Sequence, residues 1–147
     1  MKTRKKMKSE NLNEVALERA NAWMNPPFDQ ATQDEVQLMV RAGGEPLVEA
    51  FYTDLEFGTG GLRGLMGPGT NRMNKYTVAQ ATQGLANYIL RSVPEGASIA
   101  IAHDSRNQSD FFAKVAADVM AGNGIEVHLF SALRPTPQLS FSVRHLN

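Results

Sequence analysis

Apolar and polar positions along the chain follow two rhythms, interrupted once. In residues 11–24, Leu12, Val15, Ala16, Ala20 and Trp23 recur at spacings of three and four, which makes one apolar helical face. Pro26-Pro27 stops that helix. Thr32-x-x-Glu35 has the form of a capping box, with Val36, Met39 and Val40 following at helical spacing and Gly43-Gly44 closing the segment. A third short helix is predicted from Glu45 to Asp54. The rhythm then breaks: Gly58, Gly60, Gly61, Gly64, Gly67 and Gly69 fall between Phe57 and Gly69. Glycine adopts positive φ without strain, so this density predicts a loop with tight turns and close backbone approach, flanked by short strands. Helical periodicity returns over residues 75–91, with Val78, Ala81, Leu85 and Ile89 on one stripe.

The remainder alternates strand and helix. Ala97 to Ala102 is a short apolar run, expected to be a strand buried on both faces. His103 to Gln108 is a polar turn, within which Ser105-x-x-Gln108 also reads as a capping box. Phe111, Phe112, Val115, Ala116, Val119 and Met120 make an amphipathic helix closed by Gly122 and Gly124. Ile125 to Phe130 alternates with period two, Pro135-Thr136-Pro137 is a turn, and Leu139 to Leu146 reads as a last helix. That order is a βαβ unit with a right-handed crossover. The chain has no internal repeat and no low-complexity tract.

Length and composition bound the function. A chain of 147 residues, 42% apolar and 20% charged, is about one globular domain. Cysteine is absent, which excludes disulfides, thiolate metal sites and a cysteine nucleophile. No apolar run is long enough for a membrane span, and no apolar segment follows the basic N-terminus as in a secretory signal, so a cytoplasmic protein with no membrane partner is expected. The formal charge is zero, but Lys2, Arg4, Lys5, Lys6 and Lys8 concentrate five positive charges, leaving ten positive against fifteen negative on the body. Residues 1–9 are expected to be a disordered basic leader. The leader has no aromatic residue for base stacking, so a nucleic-acid partner is not expected.

Three segments carry candidate chemistry. Phe57-Gly-Thr-Gly-Gly-Leu-Arg-Gly64 lacks the lysine and hydroxyl of a P-loop, and Arg63 stands where a dinucleotide fingerprint needs its last glycine. What remains is a backbone rich in exposed N–H donors around one arginine. Such a nest with a guanidinium fork suits phosphate oxygens, while a surface turn with a solvated arginine fits the spacing equally well. His103-Asp-Ser-Arg106 lies at the C-terminal end of a predicted strand, where ligands of α/β sheets gather. Asp104 and Arg106 can orient a phosphate or pair within the turn, and the pairing within the turn is favoured. His103 reads as a turn residue before it reads as a general base. Arg134-Pro-Thr-Pro137 reads as turn chemistry, with Thr136 as a candidate helix cap. His128 and His145 have no metal-ligand spacing between them.

Leu55-Glu-Phe-Gly-Thr-Gly-Gly-Leu-Arg-Gly-Leu-Met-Gly-Pro-Gly69 followed by Asn71-Arg-Met-Asn74 resembles the opening of the α-D-phosphohexomutases, closest to the phosphoglucomutase and phosphopentomutase-like branch. His103-Asp-Ser-Arg106 and Leu133-Arg-Pro-Thr-Pro-Gln-Leu-Ser140 resemble later landmarks of that family in the same order. The resemblance covers residues from about 10 to 147. It implies domain I of the family: a three-layer α/β/α fold with a small mixed sheet between helices, here residues 10–147, incomplete at its C-terminus. It implies an isomerase of carbohydrate metabolism, a phosphoglucomutase or phosphomannomutase. Such an enzyme interconverts hexose 1- and 6-phosphates, or pentose 1- and 5-phosphates, through a sugar bisphosphate and an enzyme phosphoserine. Mg²⁺ is implied for the parent enzyme and none for this stretch.

The phosphoserine loop of the family, Thr-Ala-Ser-His-Asn-Pro, is expected just after residue 147, so the fragment alone is expected to be inactive. By the resemblance, Arg63 is carried over as the residue that stabilises the phosphoserine phosphate. Thr59 and Gly60 shape the same phosphate loop, and Asp104, Arg106 and Thr136 are structural landmarks. The alternative is a stand-alone phosphosugar or polyanion binding module. Self-association through an exposed sheet edge is expected where the next strand is missing.

Overall fold

The structure, a computed structural model, describes residues 2–59, 61–93 and 95–146; the side chains of residues 2–10 lie outside that description. The described residues form six helices and four short strands: α1 (Lys2–Trp23), α2 (Gln30–Ala42), α3 (Glu45–Phe51), β1 (Phe57–Gly58), β2 (Gly61–Leu62), α4 (Lys75–Ser92), β3 (Ser98–Ile101), α5 (Ser109–Gly122), β4 (Glu126–Leu129) and α6 (Thr136–His145). The α/β class is as expected. The chain divides into two compact units, Met1–Thr77 and Val78–Asn147.

In the first unit α1 packs on α3 and α2. Ala16, Ala20 and Trp23, three positions of the predicted apolar face, are buried with Val36, Leu47, Ala50 and Phe51. Trp23 stacks on Phe28 at 4.4 Å between ring centres and meets the edges of Phe51 and Tyr76 at 5.7 and 5.5 Å. Helix α1 begins at Lys2, well before the expected Asn11. Lysine, arginine and methionine are good helix formers, and no proline or glycine precedes Pro26. Helix α3 stops at Phe51, short of Asp54.

The cap of α2 is Asp29, not Thr32. Asp29 Oδ1 accepts from the Thr32 N–H at 3.1 Å, and the Thr32 hydroxyl donates to Asp29 Oδ2 at 2.7 Å. An aspartate three residues earlier offers two acceptors to the first turn, and so displaces the threonine as cap. The same carboxylate accepts from the Tyr76 hydroxyl at 2.6 Å and pairs with Lys75 Nζ at 2.9 Å. The Tyr76 bond first and the Lys75 bond second hold the Asp29 carboxyl well below the usual carboxylate range, and Asp29 in turn raises Lys75.

The second unit contains the expected βαβ. Strands β3 and β4 are parallel, in register from Ser98↔Glu126 to Ile101↔Leu129, with α5 between them in sequence. Ala86, Ala97, Met120 and Ile125 form the core, with Ile89, Leu90, Ile99 and Val127 packed around it. Gln83 and Asn123 exchange amide hydrogen bonds at 2.8 and 2.9 Å, which fixes the end of α5 to α4.

Three local expectations fail here. Strand β3 is only half-buried, because a sheet of two strands has no central strand. Leu85 is exposed, and the buried line of α4 runs through Thr82 and Ala86 instead. Ser105 does not cap α5: Gln108 holds the N-cap position at φ 57°, and the Ser109 hydroxyl accepts from the Asp104 N–H at 3.2 Å.

Candidate functional site

The glycine-rich segment forms an antiparallel hairpin. Phe57 pairs with Leu62 and Gly58 with Gly61, so Thr59 and Gly60 are the two residues between the strands. A two-residue hairpin turn needs positive φ, which only glycine supplies without strain. Thr59 is exposed, and Gly60 lies outside the described residues. Arg63 follows β2 directly and is exposed. Among the described residues it has no hydrogen-bond or ion-pair partner.

The stem of this hairpin is anchored at both ends to the strip Gly69–Asn74. The Leu55 N–H donates to Thr70 O at 2.8 Å, and the Met73 N–H donates to Leu65 O at 2.8 Å. A Cβ added at Gly64 would stand 2.9 Å from Leu55 Cδ1, so the two stem sides touch. The strip is fastened to the end of α3. The Asn71 N–H donates to Ala50 O at 3.0 Å, Asn71 Nδ2 donates to Glu49 O at 2.9 Å, and Arg72 forms an ion pair with Glu49. Gly69 has φ 129°, and a Cβ there would meet Ala50 O at 2.4 Å, so only glycine fits. Arg72 is thus consumed by the scaffold, whereas Arg63 is left over.

One side chain closes the strip onto α4. Asn74 Nδ2 donates to Gly67 O at 2.9 Å, to Gly69 O at 3.0 Å and to Arg72 O at 3.3 Å. Its Oδ1 accepts from the N–H groups of Tyr76 and Thr77 at 3.1 and 3.0 Å, which caps the first turn of the helix. All partners on one side are carbonyls and all on the other are N–H groups, so chemistry fixes the amide orientation. The sequence assigns no role to Asn71, Arg72 or Asn74, although Asn71-Arg-Met-Asn74 belongs to the stretch that carries the family resemblance.

The other candidates lie in the second unit. Asp104 accepts from the Arg106 N–H at 3.1 Å and from Arg106 Nε at 2.8 Å, closing the turn on itself. The Arg106 N–H is the leading cause of a lowered Asp104 carboxyl. The Arg134 N–H donates to His103 O at 3.0 Å, so the turns after β3 and β4 lie side by side. Thr136 opens α6 without capping it; Pro135 stands at the N-cap and offers no side-chain acceptor. His103 Nδ1 and Arg134 Nε are buried without partners. Among the described residues no group of three or more His, Cys, Asp or Glu side chains could hold a metal ion. No helix among them is long and apolar enough to cross a membrane.

Known proteins resemble this arrangement of sequence. The family model for phosphoglucomutase/phosphomannomutase, alpha/beta/alpha domain I, matches residues 54–147. The chain is 35% identical over 138 residues to a probable phosphoribomutase of Schizosaccharomyces pombe, across 92% of this chain and 24% of that protein. It is 37% identical over 133 residues to a phosphopentomutase of Homo sapiens, across 84% and 22%. It is 42% identical over 98 residues to a phosphoglucomutase of Staphylococcus haemolyticus, across 67% and 18%. The chain therefore spans about a quarter or less of the length of the curated relatives it matches. No solved structure matches the chain.

Proposed function

We propose, from the premise that this chain belongs to the phosphoglucomutase/phosphomannomutase family and matches its domain I, that residues 10–147 are the N-terminal α/β part of a cytoplasmic phosphosugar mutase. The observation that supports the reading is Arg63: an exposed guanidinium without a partner among the described residues, beside a glycine hairpin whose stem is anchored at both ends. An arginine held in that setting presents parallel N–H donors to a phosphate and costs little reorganisation when charge builds up on it.

The reaction proposed for the parent moves a phosphoryl group between the 1-position and the 6- or 5-position of a hexose or pentose, through a sugar bisphosphate. Phosphoryl transfer depends on positioning and on neutralising charge spread over the equatorial oxygens. In this scheme Arg63 carries the second task for the phosphate of an enzyme serine, and Thr59 with Gly60 lets the backbone come close. Asp104 and Arg106 hold the turn after β3 and have no part in binding. Magnesium is implied for the parent by the family resemblance; among the described residues no group of three or more His, Cys, Asp or Glu side chains could hold it, and no step here runs through it.

Two assays test the reading. In the full-length mutase, Arg63→Ala is expected to lower kcat/KM by more than tenfold, about 1.4 kcal/mol of transition-state stabilisation. A smaller loss removes Arg63 from the reaction path. Residues 1–147 alone are expected to give no turnover with glucose 1-phosphate, magnesium and the 1,6-bisphosphate, because no Ser-His-Asn-Pro stretch lies within them. Turnover above background contradicts that. A stand-alone phosphosugar-binding module would instead bind sugar phosphates at micromolar concentration. Among the described residues strands β3 and β4 pair only with each other, and sedimentation of the chain is expected to show association through their open edges.

A further inference from the structure

We infer that Asn74 is a positioning residue for Arg63: its side-chain amide sets where the guanidinium stands by holding the strip on which the hairpin is mounted. This inference rests on the reading of Arg63 as the phosphate-binding group. Asn74 does not reach Arg63; it acts through backbone. Its NH₂ group binds the carbonyls of Gly67, Gly69 and Arg72, which belong to the turn between the hairpin stem and α4. Met73, next in the chain, receives the stem: its N–H binds Leu65 O, its carbonyl accepts from the Gly67 N–H at 3.2 Å, and Met66 bridges to it. Leu65 lies two residues beyond Arg63. Thr70, inside the same turn, receives the other stem side through Leu55.

Both ends of the arginine-bearing segment thus hang on a turn that α3 holds from Gly69 to Arg72 and that stands open at Gly67. Gly67 has φ 142°, and nothing lies within 4 Å of where its Cβ would be. Gly69 O also accepts from the Arg72 N–H and Arg72 O from the Thr77 hydroxyl, so among the described residues Gly67 O is the carbonyl that Asn74 alone binds, at the open end of the turn. The other half of the amide is a helix cap, so the two jobs separate chemically. Asn74→Asp keeps an oxygen for the Tyr76 and Thr77 N–H groups and places an acceptor against three carbonyls, leaving Gly67 O without its donor. Asn74→Ser keeps one capping oxygen and lacks the repulsion.

The test uses the ¹⁵N-labelled chain and its two variants. In Asn74→Asp the helix signals of residues 79–91 are expected to stay in place. The backbone order of Leu62 and Arg63 is expected to fall, and any orthophosphate-induced shift of the Arg63 Nε–H signal is expected to weaken at least fivefold. Asn74→Ser should fall between wild type and Asn74→Asp. Unchanged order at Leu62 and Arg63 in Asn74→Asp overturns the inference whether or not phosphate binds. Unfolding of both variants overturns it as well, because Asn74 would then hold the whole unit rather than the hairpin. A wild-type chain whose response to phosphate is the same as that of Arg63→Ala sinks the functional reading instead, and leaves the order measurement to decide on Asn74.

Discussion

Two of the arginine-bearing turns in this molecule, those after β2 and β3, dispose of their charge in opposite ways. After β3, Arg106 is spent on Asp104 two residues earlier, through both its backbone N–H and its Nε. After β2, Arg63 has no such neighbour among the described residues, and the cations and amides nearby, Arg72, Asn71 and Asn74, are all engaged in holding the backbone. A turn that satisfies its own arginine needs no ligand. Arg63 presents the opposite case, on which its proposed role rests: a turn whose surroundings are tied down while its guanidinium has no partner among the described residues. The contrast also separates two kinds of carboxylate. Asp29 draws its leading partner, Tyr76, from forty-seven residues away, so its lowered pKa reports mainly tertiary structure. Asp104 draws its partners from its own turn.

The sharpest way to break the contrast is to dislodge the strip under Arg63. Gly69→Ala puts a methyl group against Ala50 O in a backbone region that side chains avoid. It is expected to cost about 3 kcal/mol in urea unfolding. Gly67→Ala, with positive φ but open space, is expected to cost about 1 kcal/mol. Equal losses at the two glycines would mean that the strip does not bear on α3 as described.

The two carboxylates give a medium-sized effect that depends on pH. Asp29 is depressed below its ordinary value of 3.8 in the folded chain. Its contribution is therefore fully present above that pH and is lost as pH falls further towards the folded value. Thermal unfolding is expected to show Asp29→Asn less stable than wild type at neutral pH, with the gap closing in acid. Asp104→Asn is expected to leave that profile unchanged, and a matching profile would erase the distinction between tertiary and local pairing. Smallest of all, Arg106→Ala is expected to shift stability by no more than about 0.5 kcal/mol, because its ion pair is solvent-exposed. A larger loss would show that the turn after β3 supports more than itself.

Much of the fold was legible because it rests on local rules. The buried face of α1, the stop at Pro26-Pro27, the glycine end of α2 and the parallel βαβ all follow from periodicity and turn residues. The errors share a cause. Thr32 matched a capping pattern, but Asp29 was nearer to the first free N–H groups and had distant partners to fix it. Leu85 fitted an apolar stripe, yet the buried line ran through Thr82, whose hydroxyl is satisfied by Val78 O at 2.7 Å and so tolerates burial. Arg63 stands out in the sequence as a candidate only through the family resemblance, since its spacing fits a solvated surface arginine equally well. The work of Asn74 could not be read there, because its three acceptors lie at irregular spacings and meet only when the turn has folded.

Titration of the ¹⁵N-labelled chain with orthophosphate, followed at the arginine Nε–H signals, tests the central claim most directly. The account predicts a saturating shift of the Arg63 signal at millimolar phosphate, absent in Arg63→Ala, while the Arg106 signal stays still. An Arg63 signal that does not move, or that moves no more than that of Arg106, contradicts it.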